Sequence, residues 1–348
     1  MNVCPKNAQA PTHDALRQPL DIGPVRLRNR VFLAPMSGIS DAPFRRLAYG
    51  HGAGLVVSEM TASRELCQAH AESRKRAMRH AGQGPFMLQL AGRESRWMGE
   101  AARIAVDAGA DVIDINMGCP ARKVTGGLSG SALMRDLDHA LTLIEATVKA
   151  VDVPVTLKMR LGWDGDSVNA PELARRAEQA GVRMMTVHGR TRQQFYEGRA
   201  DWHAVAAVRE AITVPLVVNG DITDPASARS ALAASGADAV MVGRAACGRP
   251  WLAGQIAGEA DDTIPDADAI AAYVIDHYDA MLAHYGADMG VRHARKHLGW
   301  YIDAHAAHLV GLPAFKGAIL RERDPDIVRQ KLAIIFETAA TAPRSLAA

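Results

Sequence analysis

Eight short apolar runs recur along the chain, each followed by a helical pattern, and this alternation constrains the fold more than any other feature. The runs fall at 31–36, 54–58, 86–91, 112–116, 155–160, 184–188, 216–219 and 239–243. They are rich in β-branched residues and lack strict alternation, which suits parallel strands buried on both faces. Helical patterns lie between them, the clearest at 94–108, 138–150, 171–180 and 224–234. Thr223-Asp224-Pro225 and Ala170-Pro171-Glu172 are helix starts with an early proline, and Gly109, Gly181 and Gly236 stand where helices close. Eight strand–helix units in about 225 residues imply the α/β class and a (β/α)8 TIM barrel. Segment 21–27 is expected to add a small plug strand beneath it. The competing architecture is a doubly wound open sheet, against which the missing Gly-x-Gly-x-x-Gly after the first run counts.

With 348 residues, the chain has room for a barrel and a second, smaller unit. The expected division is a disordered tail at 1–20, a catalytic barrel at 21–257 and a helical domain at 258–348. The clearest tail helices are expected at 269–285, 291–305 and 327–338. A net charge of +2 rules out a strongly basic coat but not a local basic surface. The cysteines Cys4, Cys67, Cys119 and Cys247 form no Cys-x-x-Cys pair, which argues against a zinc ribbon or a disulfide framework. Free thiols and the lack of an apolar leader fit a cytoplasmic protein without a signal peptide. No run reaches the roughly 18 apolar residues of a membrane span.

Active sites of such barrels sit at the C-terminal ends of the strands. Here those ends carry Pro35-Met36-Ser37, Glu59, Gln89, Asn116 with Cys119, Lys158 with Arg160, His188 with Arg190, Asn219-Gly220-Asp221 and Gly243-Arg244. A lone free cysteine is as readily a small buried hydrophobe as a reactive group. Eight polar strand ends in register are harder to explain as packing. Gly220 and Gly243 free backbone N–H groups on the last two strands, where barrels commonly hold phosphate, and Arg244 adds a bidentate cation. Gln89 and Asn219 carry amides suited to the edge of a flat heterocycle, and Lys158 is a mid-site cation that would favour electron density on a reduced ring. This set describes a phosphorylated redox ring such as FMN better than a metal. Glu59, His188 and Asp221 are conceivable ligands but share no close ligand spacing, so no metal is expected.

Several segments carry a family resemblance. They include the stretch from Ala34-Pro35-Met36-Ser37 to Asp41-Ala42-Pro43-Phe44-Arg45, Gln89-Leu90-Ala91-Gly92, Asp114-Ile115-Asn116-Met117-Gly118-Cys119-Pro120, Leu157-Lys158-Met159-Arg160, Val187-His188-Gly189-Arg190, Asn219-Gly220-Asp221 and Val242-Gly243-Arg244. In this order, over residues 20–256, they resemble the tRNA-dihydrouridine synthases. Gly248-Arg249-Pro250-Trp251 and residues 292–301 are similar to the bacterial B-type (NifR3-like) subgroup. The resemblance implies an FMN enzyme that reduces uridine of tRNA, in the D-loop, to 5,6-dihydrouridine, with NADPH (or NADH) restoring the flavin. It implies that Pro35, Met36, Ser37, Gln89, Lys158, His188, Asn219, Gly220, Asp221, Gly243 and Arg244 surround FMN and that Cys119 is the proton donor. A thiol of ordinary pKa suits that role, so Cys119 is expected away from cations that would ionise it. Gly126 and Gly127 stand where relatives often carry a basic residue.

Lys123 in the loop expected over the site, Arg160 and Arg190 at the strand ends, and Arg292, Arg295 and Lys296 in the tail are the candidate RNA-contacting cations. With His293 and His297 the tail residues form a cationic cluster able to face phosphates, unless it is simply a solvated helix face. Trp300 and Tyr301 are expected to pack rather than stack on bases. A monomer is expected. The alternatives are a small-molecule FMN oxidoreductase of the dihydroorotate dehydrogenase type, which would need no basic appendage, and a non-catalytic RNA-binding regulator, against which Cys119 and Lys158 argue.

Overall fold

The computed structural model describes residues 13–342 apart from 80, 81, 83 and 261–263. Most of the expected tail, residues 1–12, lies outside the described residues. The rest of it is not a tail: His13–Arg17 is a helical turn whose Leu16 is buried and whose Arg17 donates to Gly258 O at 2.6 Å.

The segment expected as one plug strand is a hairpin, β1 (Leu20–Ile22) and β2 (Val25–Leu27), paired antiparallel. The barrel strands are β3 (Val31–Leu33), β4 (Leu55–Val57), β6 (Phe86–Ala91), β7 (Val112–Met117), β8 (Val155–Arg160), β9 (Met185–His188), β10 (Leu216–Asn219) and β11 (Ala239–Val242). All pair in parallel with their neighbours. Pairing of β4 with β6 and of β11 with β3 closes the ring. A two-residue strand, β5 (Thr61–Ala62), extends the upper edge of β6.

Each strand sends alternate residues to two cores. Phe32, Leu55, Val57, Met87, Val112, Val217 and Met241 point inward and meet Leu20, Ile22 and Leu27, so the hairpin caps the lower mouth. Val31, Leu33, Val56, Ile113, Ile115 and Val218 point outward under the helices. Burial of both faces explains why the strands read as continuous apolar runs; all six positions of β6, β7 and β8 are buried.

The helix signals act as their chemistry predicts. Asp224 Oδ1 accepts from Ser227 N at 2.7 Å and Ser227 Oγ accepts from Asp224 N at 3.0 Å, a reciprocal cap on Pro225–Ser235. A third core joins the tail helices Ile270–Tyr285, Ala287–His305, Leu312–Arg321 and Pro325–Thr341. Leu312–Arg321 was not expected, although Gly311 and Pro313 mark its start. Trp251, which precedes the tail, belongs to this core and lies against Tyr273 and His51.

Candidate active site

The upper mouth opens into a cavity of about 820 Å³, near the upper end of the 300–1,000 Å³ usual for small-molecule sites. Every strand-end residue expected to surround the cofactor lines it, from Pro35 and Met36 round to Gly243 and Arg244, and so does Cys119. Strand register does this. Asn116 is paired with Lys158, Arg160 with His188, and His188 with Asn219, so these side chains leave the barrel at neighbouring levels.

Cys119 lies in the turn that ends β7. Its backbone N–H donates to Asn116 Oδ1 at 3.0 Å, and Gly118 N donates to the same oxygen at 3.3 Å. The turn is therefore held by the Asn116 side chain. Gly130 is the residue whose shape matters there: its φ is +60°, and a Cβ would sit 2.8 Å from Cys119 O. The thiol is half-buried. Lys158 and Arg160 are within electrostatic reach of it, contrary to the expectation of a site free of cations.

Lys158 donates to Asn219 Oδ1 at 3.1 Å, and Asn219 Nδ2 donates to Met241 O at 2.8 Å. Asn219 thus positions the lysine, and its Nδ2 keeps one hydrogen for the cavity that it lines. Burial, with repulsion from Arg160, lowers the Lys158 pKa to about 8, against the pull of Asp114 and Cys119. His188 is held well below its ordinary pKa by burial and by Lys158, Arg160, Arg190 and Arg244. It is neutral, and Arg190 Nη1 stands 3.3 Å from its Nε2. A guanidinium can only donate, so Nε2 accepts and the ring proton sits on Nδ1.

Two of the expected RNA-contacting cations are built into the wall. Arg160 donates to Gly118 O, Thr191 O and Phe195 O, each at 2.8 Å, and is 1% exposed. It ties the Cys119 turn to the loop after β9. Arg190, 2% exposed, bonds Glu197 O, Gly198 O and Asp221 Oδ2, so Asp221 is engaged inside the wall as well. Gly220 permits this tight corner: its φ is +114° and a Cβ would lie 2.8 Å from His188 Cδ2.

Lys123, Arg244 and Arg292 are exposed, and Arg295 and Lys296 half-buried. The tail cluster is smaller than expected, because His297 is buried and pushed far below its ordinary pKa by burial and by His277, Lys296 and His293. His293 is lowered too, by burial first, and stacks on Tyr285 with centroids 4.3 Å apart. Tyr301 packs, as expected, 1% exposed and 3.0 Å from His277 Nδ1. Lys296 Nζ reaches the mouth: a Cβ on Gly38 would lie 3.0 Å from it.

Sequence reading missed Phe195 and Tyr196, an exposed T-shaped pair on the cavity rim. Phe195 has φ +51°, a conformation that costs a bulky residue about 1–3 kcal/mol and is fixed here by the Arg160 bond to its carbonyl. Arg244 lies 4.6 Å over the Tyr196 ring. Two adjacent aromatics in an otherwise polar loop were the available signal.

Among the described residues, no group of three metal-ligating side chains is assembled and no helix is long and apolar enough to cross a membrane. The barrel is similar in fold to histamine dehydrogenase from Rhizobium sp. 4-9 (TM-score 0.58, 14% identity, 94% of this chain and 65% of that one) and to 2-naphthoyl-CoA reductase (TM-score 0.58, 15% identity, 71% and 52%). Sequence similarity is closer. A probable tRNA-dihydrouridine synthase of Rhizobium leguminosarum bv. phaseoli is 59% identical over 92% of this chain and 99% of its own length. One from Rhodobacter capsulatus is 57% identical over 88% and 94%, and tRNA-dihydrouridine synthase B of Xanthomonas axonopodis pv. citri is 46% identical over 88% and 92%. With the dihydrouridine synthase family model matching residues 32–311 as well, the chain belongs to the dihydrouridine synthase (Dus) family.

Proposed function

We propose that this chain reduces a uridine in the D-loop of tRNA to 5,6-dihydrouridine, with FMN bound at the barrel mouth and NADPH as electron source. The observation that carries the reading is the convergence of Cys119 and Lys158 on one cavity, with phosphate-suited Gly243-Arg244 opposite. The residues fit the cofactor. Lys158 keeps two ammonium hydrogens beyond its bond to Asn219, and a Cβ on Gly243 would meet nothing within 4 Å, which leaves the strand end open to a phosphate. Pro35, Met36, Ser37, Gln89, Gly220, Gly243 and Arg244 would hold FMN directly. Asn219 and Asp221 would act through Lys158 and Arg190.

FMN, when bound and reduced, supplies the hydride for C6 of the uracil. The chain must then supply a proton to C5, and Cys119 is the thiol on the cavity wall that can give it. Lys158 favours negative charge developing at mid-site, while neutral His188 offers only its Nδ1–H. The target base must leave its stack to enter the cavity, and the Phe195–Tyr196 rim gives it apolar surface on the way in.

Anaerobic mixing of the NADPH-reduced protein with tRNA lacking dihydrouridine tests the reading. Flavin should reoxidise as dihydrouridine appears, one for one. A protein that releases no FMN, or whose reduced flavin is reoxidised by a free pyrimidine and not by tRNA, would overturn it.

A further inference from the structure

Asp114 is a carboxyl in the middle of β7, 3% exposed, and does not line the cavity. Its Oδ1 accepts from Thr156 Oγ1 and its Oδ2 from Gln89 Nε2, both at 2.6 Å. Gln89 Oε1 accepts from Asn116 Nδ2 at 2.8 Å, and Asn116 Oδ1 accepts from Cys119 N. We propose that Asp114 is a positioning residue: it is the acceptor end of a buried hydrogen-bond chain that orients Gln89 and Asn116 and, through them, holds the Cys119 turn. This rests on the reading of Cys119 as proton donor.

The chain has only one consistent sense. At its upper end the Cys119 and Gly118 N–H groups can only donate, so Asn116 must present its oxygen to them and its nitrogen to Gln89. Gln89 must then present its oxygen to Asn116 and its nitrogen to whatever lies below. That place needs an acceptor, and Asp114 fills it. The sense also sets what the cavity meets. Both amide oxygens are engaged inside the wall, while each amide nitrogen keeps a second hydrogen, so Gln89, Asn116 and Lys158 make this wall a bank of donors. Donors suit a ligand presenting carbonyl oxygens. Without an acceptor below, the Gln89 nitrogen would be buried unsatisfied, its amide would rotate away, and Asn116 would lose its partner.

Two substitutions separate this from plain packing. Asp114→Leu removes the acceptor at similar volume. Asp114→Asn keeps it, since its oxygen can face Gln89 while its nitrogen donates to the Thr156 hydroxyl, which can accept. Iodoacetamide modification of the flavin-loaded protein, resolved by peptide mass spectrometry, reads the turn without relying on turnover. In Asp114→Leu, Cys119 should be alkylated about five- to tenfold faster, the scale of one lost buried hydrogen bond, with Cys67 and Cys247 unchanged. In Asp114→Asn the Cys119 rate should stay within about twofold of wild type, because the acceptor survives. Gln89→Leu breaks the chain one link later. It should reproduce the change, add nothing in the double variant, and serve if Asp114→Leu does not fold. A wild-type Cys119 rate in the leucine variants, or an asparagine variant no different from leucine, would overturn the proposal. Cys119→Ala in single turnover independently tests the proton-donor reading: if that variant forms dihydrouridine normally, the thiol is not the donor, whatever the alkylation rates show.

Discussion

Lys158 is a cation held with a narrow margin, because burial works against its charge while Asp114 supports it. Its pKa of about 8 means the proton is lost as pH rises through that value. If the cation favours the flavin, FMN affinity followed by fluorescence should fall on the alkaline side with a midpoint near 8, the limb should vanish in Lys158→Ala, and it should move out of range in Lys158→Arg. A limb that persists in the alanine variant would belong to another group. Stability should move the other way: the folded state binds this proton less tightly than the unfolded chain, so folding gains as pH rises from about 8 towards 10.5. Cys119→Ala should keep its FMN and its reduction by NADPH yet lose about 10²–10⁴-fold in dihydrouridine formation, as expected for a missing general acid. Wild-type reoxidation by tRNA in that variant would reduce Cys119 to a packing residue. The strand-end residues were legible because barrel topology fixes where they emerge. Their partners were not. That Asn219 serves Lys158, or that Arg160 is spent on three carbonyls, depends on contacts between strands and loops far apart in the chain.

At the scale of elements, β6, β8 and β10 were readable to the residue, because a parallel strand buried on both faces reads as a short, mostly apolar run between helical patterns. The short helices Ser63–Cys67 and Ala71–Ala77 were not, since neither is long enough to show a period. The Ala287–His305 helix was legible as a helix but misread as to charge, because sequence cannot say which histidines face a core. His277 and His297 face each other at 5.2 Å, against Phe44 of the Ala42–Gly50 helix. Neither His297 nitrogen finds a partner among the described residues. Burial, then Arg46, lowers the His277 pKa to about 3, and His297 is also well below 6.5. The unfolded chain binds these protons more readily, so stability is full above 6.5 and falls as pH drops below it, by about 1.4 kcal/mol per pH unit for each histidine. His297→Leu removes one such term and two orphaned nitrogens. It should be neutral or stabilising at pH 7.5 and lose less stability than wild type between pH 7.5 and pH 5, read by urea denaturation at both pH values. An acid limb equally steep in the variant would show that His297 is not excluded from protonation by folding.

Across the whole molecule, the tail is joined to the barrel along a buried seam rather than by a linker alone. Tyr285 Oη donates to Asp41 Oδ2 at 3.1 Å, and Asp41 Oδ1 caps the first barrel helix through Phe44 N at 3.0 Å. Glu59 beside it accepts from Gly38 N, in the loop that carries Met36 and Ser37 into the cavity. Gly248 is pressed against the tail, where a Cβ would lie 2.6 Å from Trp300 O. This seam argues against a barrel that works with the tail removed. Cutting after residue 258 would expose Phe44 and Trp251 and strip Asp41 of its tyrosine, so the loop at 36–41 would lose its backing. The truncated barrel should purify poorly and hold little FMN, and its failure to modify tRNA would say nothing about RNA contact. Arg292→Glu is the cleaner test of the tail as an RNA surface, because Arg292 is exposed and lies outside the seam. That variant should keep wild-type flavin content and NADPH oxidation while binding tRNA more weakly, with the salt dependence of binding reduced by about one unit of slope for the lost phosphate contact. Unchanged tRNA affinity and salt slope would make this helix face a solvated one, and a soluble, flavin-loaded truncated barrel would make the seam a docking surface on which the cofactor loop does not depend.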